Sequence, residues 1–162
     1  MTGFSLSLAN AGNYQTGNSA LGNIFGAYGD HFSSFTASDV PYATYDVYVY
    51  VASDGDNRDA YGTIGSETLS FKTDAASATS FAVNSTPESG SDPSGFSYGA
   101  YNVLEFTNVT GSSFTYNQTY TGQSVGMAGF EIVEAPEPST WAMLLAGAML
   151  MGAPLVRRQL RA

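Results

Sequence analysis

The sequence predicts an all-β fold, an antiparallel β-sandwich, over residues 1–134, followed by a tail (135–162) with one transmembrane helix. Three observations support this prediction. Gly, Ser, Thr, Asn, Tyr and Val dominate the first part while Lys and Glu are scarce, which is typical of β-structure. No window of about eleven residues there has a helical stripe, and several short segments alternate apolar with polar residues. The chain then ends in an uncharged apolar run and three arginines.

Four strands are predicted in the first half of the chain. Residues 4–8 alternate and form the first, and a loop rich in Gly and Asn follows over 10–30, with one weak strand near Ile24. Residues 32–37 predict the third strand. The fourth and clearest covers residues 42–52. These predictions rest on period-two alternation and on the turn residues between the segments.

The strand over residues 42–52 has two different faces. Tyr45 and the valines at 47, 49 and 51 share one face, which should be core. Tyr48 and Tyr50 share the other. That face could be the wall of a groove, but packing against a second apolar layer or a crossing loop is the commoner arrangement.

The second half of the chain completes the sandwich. A hairpin is predicted from residues 61–64 and 67–72 around Gly65-Ser66, and a strand over 80–84 precedes a long loop over 85–99. Three further strands follow, with inward positions at Leu104, Phe106, Phe130 and Ile132, and they cover residues 101–109, 113–121 and 127–134. Without the weakest candidates the count is eight or nine short strands, which suits a sandwich or jelly roll.

Length and charge limit the classes of function. The 162 residues, less the last 27 that begin at Pro136, leave room for one domain with a core. Residues 1–135 carry thirteen acidic groups against Arg58 and Lys72 alone, so nucleic-acid binding is not expected. This charge favours solubility and attracts cations such as calcium. The absence of cysteine excludes disulfides, thiolate metal sites and cysteine nucleophiles.

The turn after the fourth strand is the candidate metal site. Asp54, Asp56 and Asp59 place carboxylates at spacings of two and three, close to the start of a calcium loop. Arg58 and Gly65 occupy positions where an EF-hand needs ligands, so an EF-hand is excluded. A calcium site formed by the three aspartates competes with a simple solvated turn, which is the commoner structure. No other cofactor is expected.

Catalytic residues are few. His31 is the only histidine and no motif surrounds it, so a hydrolytic triad is not expected. Glu105 and Glu131 could meet as a glycosidase pair if the fold places them in one cleft, although strand carboxylates that face solvent are much commoner. We therefore predict a protein that is not an enzyme.

The C-terminal tail contains three parts in a fixed order. The motif Pro136-Glu137-Pro138 should be extended and accessible, because proline disfavours a helical residue before it. An uncharged run of 16 residues, Trp141 to Val156, extends to 18 with the preceding Ser and Thr, close to the lower limit of about 17 to 25 for a membrane span. The run is followed by the basic cluster Arg157, Arg158 and Arg161. The positive-inside bias places these arginines in the cytoplasm and the domain on the far side.

This tail resembles the PEP-CTERM sorting signal of Gram-negative bacteria, in which a Pro-Glu-Pro motif precedes a short transmembrane helix and a basic cluster. The resemblance covers only Pro136 to Ala162. It implies recognition by exosortase, a membrane enzyme similar to cysteine transpeptidases, which cleaves near the motif and delivers the ectodomain to the cell surface. The alternative is an ordinary C-terminal anchor that is never cut.

The domain also resembles the β-sandwich ectodomains of many PEP-CTERM proteins, which are similar in layout to galactose-binding-like jelly rolls. This likeness rests on the strand pattern of residues 42–133. Residues 1–10 contain no Lys or Arg and no long apolar segment, so no signal peptide is visible. We expect the natural start to lie upstream of Met1, because a sorting tail is of use only to an exported chain.

Three functions follow as hypotheses. The first is an exported surface or matrix protein that passes through the inner membrane and, as the family resemblance implies, is associated with exopolysaccharide and biofilm. The second is a lectin-like carbohydrate-binding module that stacks sugars on tyrosines, with candidates at Tyr48, Tyr50, Tyr98 and Tyr101. The third is a glycoside-acting enzyme that uses Glu105 and Glu131.

Overall fold

The computed structural model describes residues 4–9, 12–15, 23–26, 34–53, 55–73, 81–121 and 125–135. Eleven strands and one short 3-10 turn lie within these ranges. In chain order they are β1 (Ser5–Ala9), β2 (Gly12–Gln15), β3 (Asn23–Gly26), β4 (Ser34–Ser38), β5 (Thr44–Ala52), β6 (Asp59–Ile64), β7 (Glu67–Lys72), β8 (Val83–Asn84), the 3-10 turn (Pro93–Gly95), β9 (Val103–Thr110), β10 (Ser113–Tyr120) and β11 (Gly126–Glu134).

The strands form two sheets, so the all-β prediction is confirmed. The five-stranded sheet has the order β1-β4-β10-β6-β7, and the six-stranded sheet has the order β2-β3-β11-β5-β9-β8. Neighbouring strands pair antiparallel throughout the described ranges except β8 and β9, which are parallel. The order β11-β5-β9 places β5 in the interior of the larger sheet.

Strand β5 forms because its alternating residues suit a strand between two neighbours. Val47, Val49 and Val51 are at most 1% exposed, and Tyr45 on the same face is fully buried. Full burial of a valine side chain contributes about 1.5 kcal/mol or more relative to leaving it in water. The valine face is therefore core, as predicted.

Aromatic contacts join the two sheets in one hydrophobic cluster. Phe35 of β4 stacks on Phe130 of β11 with ring centroids 4.5 Å apart. Tyr116 of β10 meets Phe106 of β9 edge-on at 6.0 Å. Such pairs add about 0.5–1.5 kcal/mol to the burial of their surface. The side chains of both sheets thus share a single core.

Gly62 allows the largest of these rings to fit. It lies on the inward face of β6, opposite Gln118 of β10, and a Cβ there would overlap the ring of Tyr116. The buried Tyr116 hydroxyl donates to Gln118 Oε1 at 2.9 Å, and Gln118 Nε2 donates to the Val125 carbonyl at 2.9 Å. The hydroxyl end of Tyr116 is therefore hydrogen-bonded inside the core.

Most predicted strands lie where expected, and one strand was missed. The predicted hairpin is β6 and β7, and the weak strand near Ile24 is β3. Strand β2 lies inside the segment predicted to be a loop, because its sequence GNYQ has little strand propensity and is ordered by pairing with β3.

None of the described residues belongs to a helix long and apolar enough to cross a membrane. The predicted sorting motif, transmembrane helix and arginine cluster lie outside the described residues, as do His31 and Asp54. The described chain ends at Ala135, whose N–H donates to the Thr44 carbonyl at 3.1 Å. Strand β11 is therefore paired with β5 up to the residue before Pro136.

Candidate functional site

The outward face of the six-stranded sheet presents tyrosines between glutamates. Tyr48 of β5 is opposite Glu105 of β9 on one side and Glu131 of β11 on the other. Tyr50 lies two residues further along the same face. Both tyrosines are half-buried and Glu131 is exposed. We call Tyr48, Tyr50, Glu105 and Glu131 the tyrosine–glutamate face.

Hydrogen bonds fix the two tyrosine rings. The Tyr48 hydroxyl donates to Glu105 Oε1 at 2.8 Å, and the Tyr50 hydroxyl donates to Glu131 Oε2 at 3.1 Å. The bond to Glu105, together with partial burial and nearby carboxylates, raises the pKa of Tyr48 to about 12. Partial burial and then the bond to Glu131 raise the pKa of Tyr50. Both phenols therefore stay protonated as donors at neutral pH.

An exposed ring extends this face. Phe81 is 61% exposed and meets Tyr50 edge-on with ring centroids 5.5 Å apart. Asn102 holds the adjoining backbone, because its Oδ1 accepts from the Ala82 N–H at 2.7 Å. Fixed aromatic rings thus lie beside carboxylates on a surface open to solvent.

This combination suits a polar ligand with an apolar face. Aromatic rings stack against apolar surfaces, and carboxylates accept hydrogen bonds from hydroxyl groups. Sugars offer both surfaces. The negative charge of Glu105 and Glu131 disfavours an acidic ligand.

The two glutamates lie on one face, as the glycosidase hypothesis requires. Strand β5 separates their strands, so their backbones are about 10 Å apart. Each carboxylate already accepts a tyrosine hydroxyl. The face is the exposed side of a sheet, and the described contacts identify neither glutamate as a general acid or base.

The other two candidate tyrosines lie elsewhere. The Tyr98 hydroxyl donates to the Pro93 carbonyl at 3.1 Å, and its ring lies 6.2 Å from that of Phe96. Tyr101 packs against the hydrophobic core. Of the four tyrosines considered from sequence, the structure brings together only Tyr48 and Tyr50.

The long loop after β8 covers part of the five-stranded sheet and is anchored by Glu88. The Glu88 carboxylate accepts from the buried Ser70 hydroxyl and from the Ser97 N–H at 3.1 Å, and its own N–H donates to the Thr68 carbonyl at 2.9 Å. Phe96 of the loop meets Tyr61 of β6 edge-on at 5.3 Å. Sequence patterns gave no signal for this anchor.

The acidic turn is tied to β7. Asp59 forms an ion pair with Lys72 at 3.3 Å, and the Gly55 carbonyl accepts from the Thr73 hydroxyl at 2.9 Å. Asp56 lies in this turn. Among the described residues no three acidic or histidine side chains form a group that could hold a metal. Calcium binding by the three aspartates remains a prediction.

The sequence placed Tyr48 and Tyr50 on one strand face and suggested Glu105 and Glu131 as a pair, but it did not predict that the two pairs lie on the same face. Phe81 lies in the strand predicted over residues 80–84 but was not recognised as a site residue, because its contact with Tyr50 depends on the folded structure. Comparison with known proteins finds no matching family model, no matching curated protein and no matching solved structure.

Proposed function

We propose that this chain is an exported bacterial surface or matrix protein that exosortase sorts through its C-terminal tail. The observation that carries the proposal is the order of Pro136-Glu137-Pro138, an apolar run and the cluster Arg157, Arg158 and Arg161 in the sequence. The resemblance of this tail to the PEP-CTERM signal implies transient insertion in the inner membrane and then release to the surface.

The end of β11 supports a compact processed product. Glu134 pairs with Tyr45, and Ala135 is bonded to Thr44. The motif therefore begins at the residue after Ala135, the last described residue, which is bonded to β5. Cleavage within the motif would leave a folded domain with only a few additional residues.

Fractionation of cells tests the proposal. With an active exosortase the chain should lose its tail and leave the inner membrane, whereas a variant with alanine at 136, 137 and 138 should stay there at full length. A variant with alanine at the exposed Ser85, Ser89 and Ser91 serves as the control and should be processed normally. If the unaltered chain stays intact in the membrane, the sorting proposal is wrong.

We also propose that the two sheets form an antiparallel β-sandwich. The shared core and the stacked pair Phe35 and Phe130 support this arrangement. The jelly-roll or galactose-binding-like topology remains the expectation from the strand pattern.

The second candidate function is binding of a neutral saccharide on the tyrosine–glutamate face. The specific observation in its favour is that Tyr48, Tyr50 and Phe81 present fixed rings next to two carboxylates. Stacking supplies affinity and the carboxylates accept hydrogen bonds from sugar hydroxyls. Exopolysaccharide is the ligand that the family resemblance suggests.

A glycan array with the full chain in detergent tests this second function, with and without calcium. Neutral glycans should bind, and Tyr50→Ala should weaken binding about tenfold because one stacking ring is lost. Tyr61→Ala removes a comparable tyrosine from the other sheet and should leave binding unchanged. An array without hits would contradict saccharide binding, and hydrolysis of a bound glycan would favour the glycoside-acting alternative.

A further inference from the structure

A groove lies where the β6–β7 hairpin ends and the neighbouring strand β10 continues. Strand β6 ends at Ile64, which is opposite Tyr116, whereas β10 begins at Ser113. Three residues of β10, from Ser113 to Thr115, therefore extend beyond the end of β6. The resulting groove has a volume of about 620 Å³, and its lining includes Ile64, Glu67, Phe114, Thr115 and the segment Thr107–Thr110 of β9. We call it the hairpin groove.

The backbone of Thr115 points into this groove. The Thr121 N–H donates to the Asp59 carbonyl at 3.0 Å, which sets the phase of the β6–β10 ladder. In an antiparallel pair, alternate residues direct their N–H and C=O groups to the same neighbour. The N–H and C=O groups of Thr119, Asn117 and Thr115 therefore point toward β6. Strand β6 ends at Ile64, which is opposite Tyr116, so no residue of β6 is opposite Thr115.

The opposite wall is also a strand edge. Strand β8 pairs with β9 only at Val103 and Leu104, so in the described ranges no strand pairs with the outer edge of Thr107–Thr110. Ile64 and Phe114, both buried, add apolar surface to the lining. The groove thus combines strand edges with an apolar floor, which is the environment of a β-strand.

The charge of the groove and of the whole chain limits the kind of partner that can bind there. Glu67 is the only charged residue among those that line the groove. Partial burial raises the pKa of its carboxyl, so a nearby cation would stabilise the ionised form. The whole chain has a formal charge of −9, which disfavours a second copy as the occupant.

We infer that the hairpin groove binds an extended segment of a partner protein, which adds as a strand to the Thr115 edge of β10 and places a Lys or Arg against Glu67. Strand addition gains affinity from backbone hydrogen bonds and specificity from alternate side chains. A saccharide would use the polar side chains but not the strand edges, so the exposed edges favour a peptide. This inference does not depend on the saccharide function of the other sheet.

The test uses the full chain in detergent and an array of extended hexapeptides of alternating Thr and Val, with a single Lys at each position in turn. A matching array carries Glu in place of Lys. Lysine peptides should bind with a Kd below about 1 mM and glutamate peptides should not, while Glu67→Gln should remove this preference. Hydrogen exchange of the Thr115 amide should slow when a lysine peptide binds.

Two variants test whether the backbone N–H of Thr115 makes the contact. Thr115→Pro removes the N–H that faces the groove without removing a bond to β4, and it should weaken peptide binding about tenfold. Thr36→Val on β4 removes the hydroxyl partner of Thr115, 2.8 Å away, without changing a residue that lines the groove, and it should bind normally. Circular dichroism checks that both variants fold. Equal binding by Thr115→Pro, selective binding of neutral sugars in the groove, or no binding by any lysine peptide would overturn the inference.

Discussion

The outer faces of the two sheets use the same kind of contact, a hydroxyl group that donates to a glutamate, for different purposes. On the six-stranded sheet, Tyr48 and Tyr50 donate to glutamates at the open surface. On the five-stranded sheet, Glu88 accepts from the buried Ser70, and the loop after β8 covers the strand beneath it. The two faces differ in whether a loop covers the contact, and not in its chemistry, since a hydroxyl donates to a carboxylate in both. A carboxylate under a loop holds structure together, whereas one on an open face is available to a ligand.

The largest expected effect on stability comes from a comparison of Glu88, under the loop, with Glu131, on the open face. Glu88→Ala leaves the buried Ser70 hydroxyl without its carboxylate acceptor and frees the Ser97 N–H. We expect the free energy of unfolding to fall by about 2 kcal/mol, since a hydrogen bond to a charged group is lost in a covered site. Urea unfolding followed by near-ultraviolet circular dichroism measures this change.

Glu131→Ala is the matched control on the open face. Its carboxylate is exposed and accepts only the Tyr50 hydroxyl among the described contacts, so the expected cost is below about 0.5 kcal/mol. Equal losses in the two variants would show that the loop does not shield Glu88, and the contrast between the faces would fail.

The sequence predicted the faces of single strands well, because each depends on local alternation. The buried valines of β5 and the inward Leu104 and Phe106 of β9 lie as predicted. Register was not predictable. The pairing of Tyr48 with Glu105 and Glu131 depends on the alignment of three strands distant in sequence, and irregularities occur between Met127 and Gly129 and between Tyr45 and Val47.

The loop that Glu88 anchors was also not predictable from local sequence patterns. Its length predicted either a functional or a mobile segment, but Glu88 holds it through groups on β7 and at Ser97. A single glutamate in a loop has no periodicity to mark it as structural. The hairpin groove was equally unpredictable, because it depends on where β6 ends against β10, two strands that are distant in sequence and pair only in the folded chain.

Two phenylalanines, one in the covering loop and one on the open face, allow a second comparison with a smaller expected effect on the free energy of unfolding. Phe96 and Phe81 each meet a tyrosine edge-on, at 5.3 Å and 5.5 Å, but Phe96 belongs to the covering loop and is half-buried. Phe96→Ala should lower the free energy of unfolding by about 1 to 2 kcal/mol, from lost burial and the aromatic pair.

Phe81→Ala should cost less than about 1 kcal/mol, because the side chain is 61% exposed in the folded state. The same urea experiment measures both variants. A larger loss at Phe81 than at Phe96 would mean that the open face is structural, which would also weaken the saccharide proposal.

Alkaline titration isolates the smallest effect, the ionisation of one phenol. The folded pKa of Tyr48 is raised to about 12 from the ordinary value of 10.0, mainly by the bond to Glu105. A raised folded pKa means that the stabilisation is fully present below pH 10 and is lost as pH rises toward 12. Tyr48→Phe removes this ionisation, so its free energy of unfolding should fall less steeply than that of the unaltered chain in that window.

Tyr98 provides the control for this titration, since partial burial is the first cause of its raised pKa and its hydroxyl donates to a carbonyl instead of a carboxylate. Tyr98→Phe should therefore change the alkaline slope less than Tyr48→Phe does. Urea unfolding at several pH values between 10 and 12 gives both slopes. If Tyr48→Phe leaves the slope unchanged, the bond to Glu105 is not maintained in solution. The carboxylate would then be free and the ring unfixed, and the tyrosine–glutamate face would lose the preorganisation on which stacking against a sugar depends.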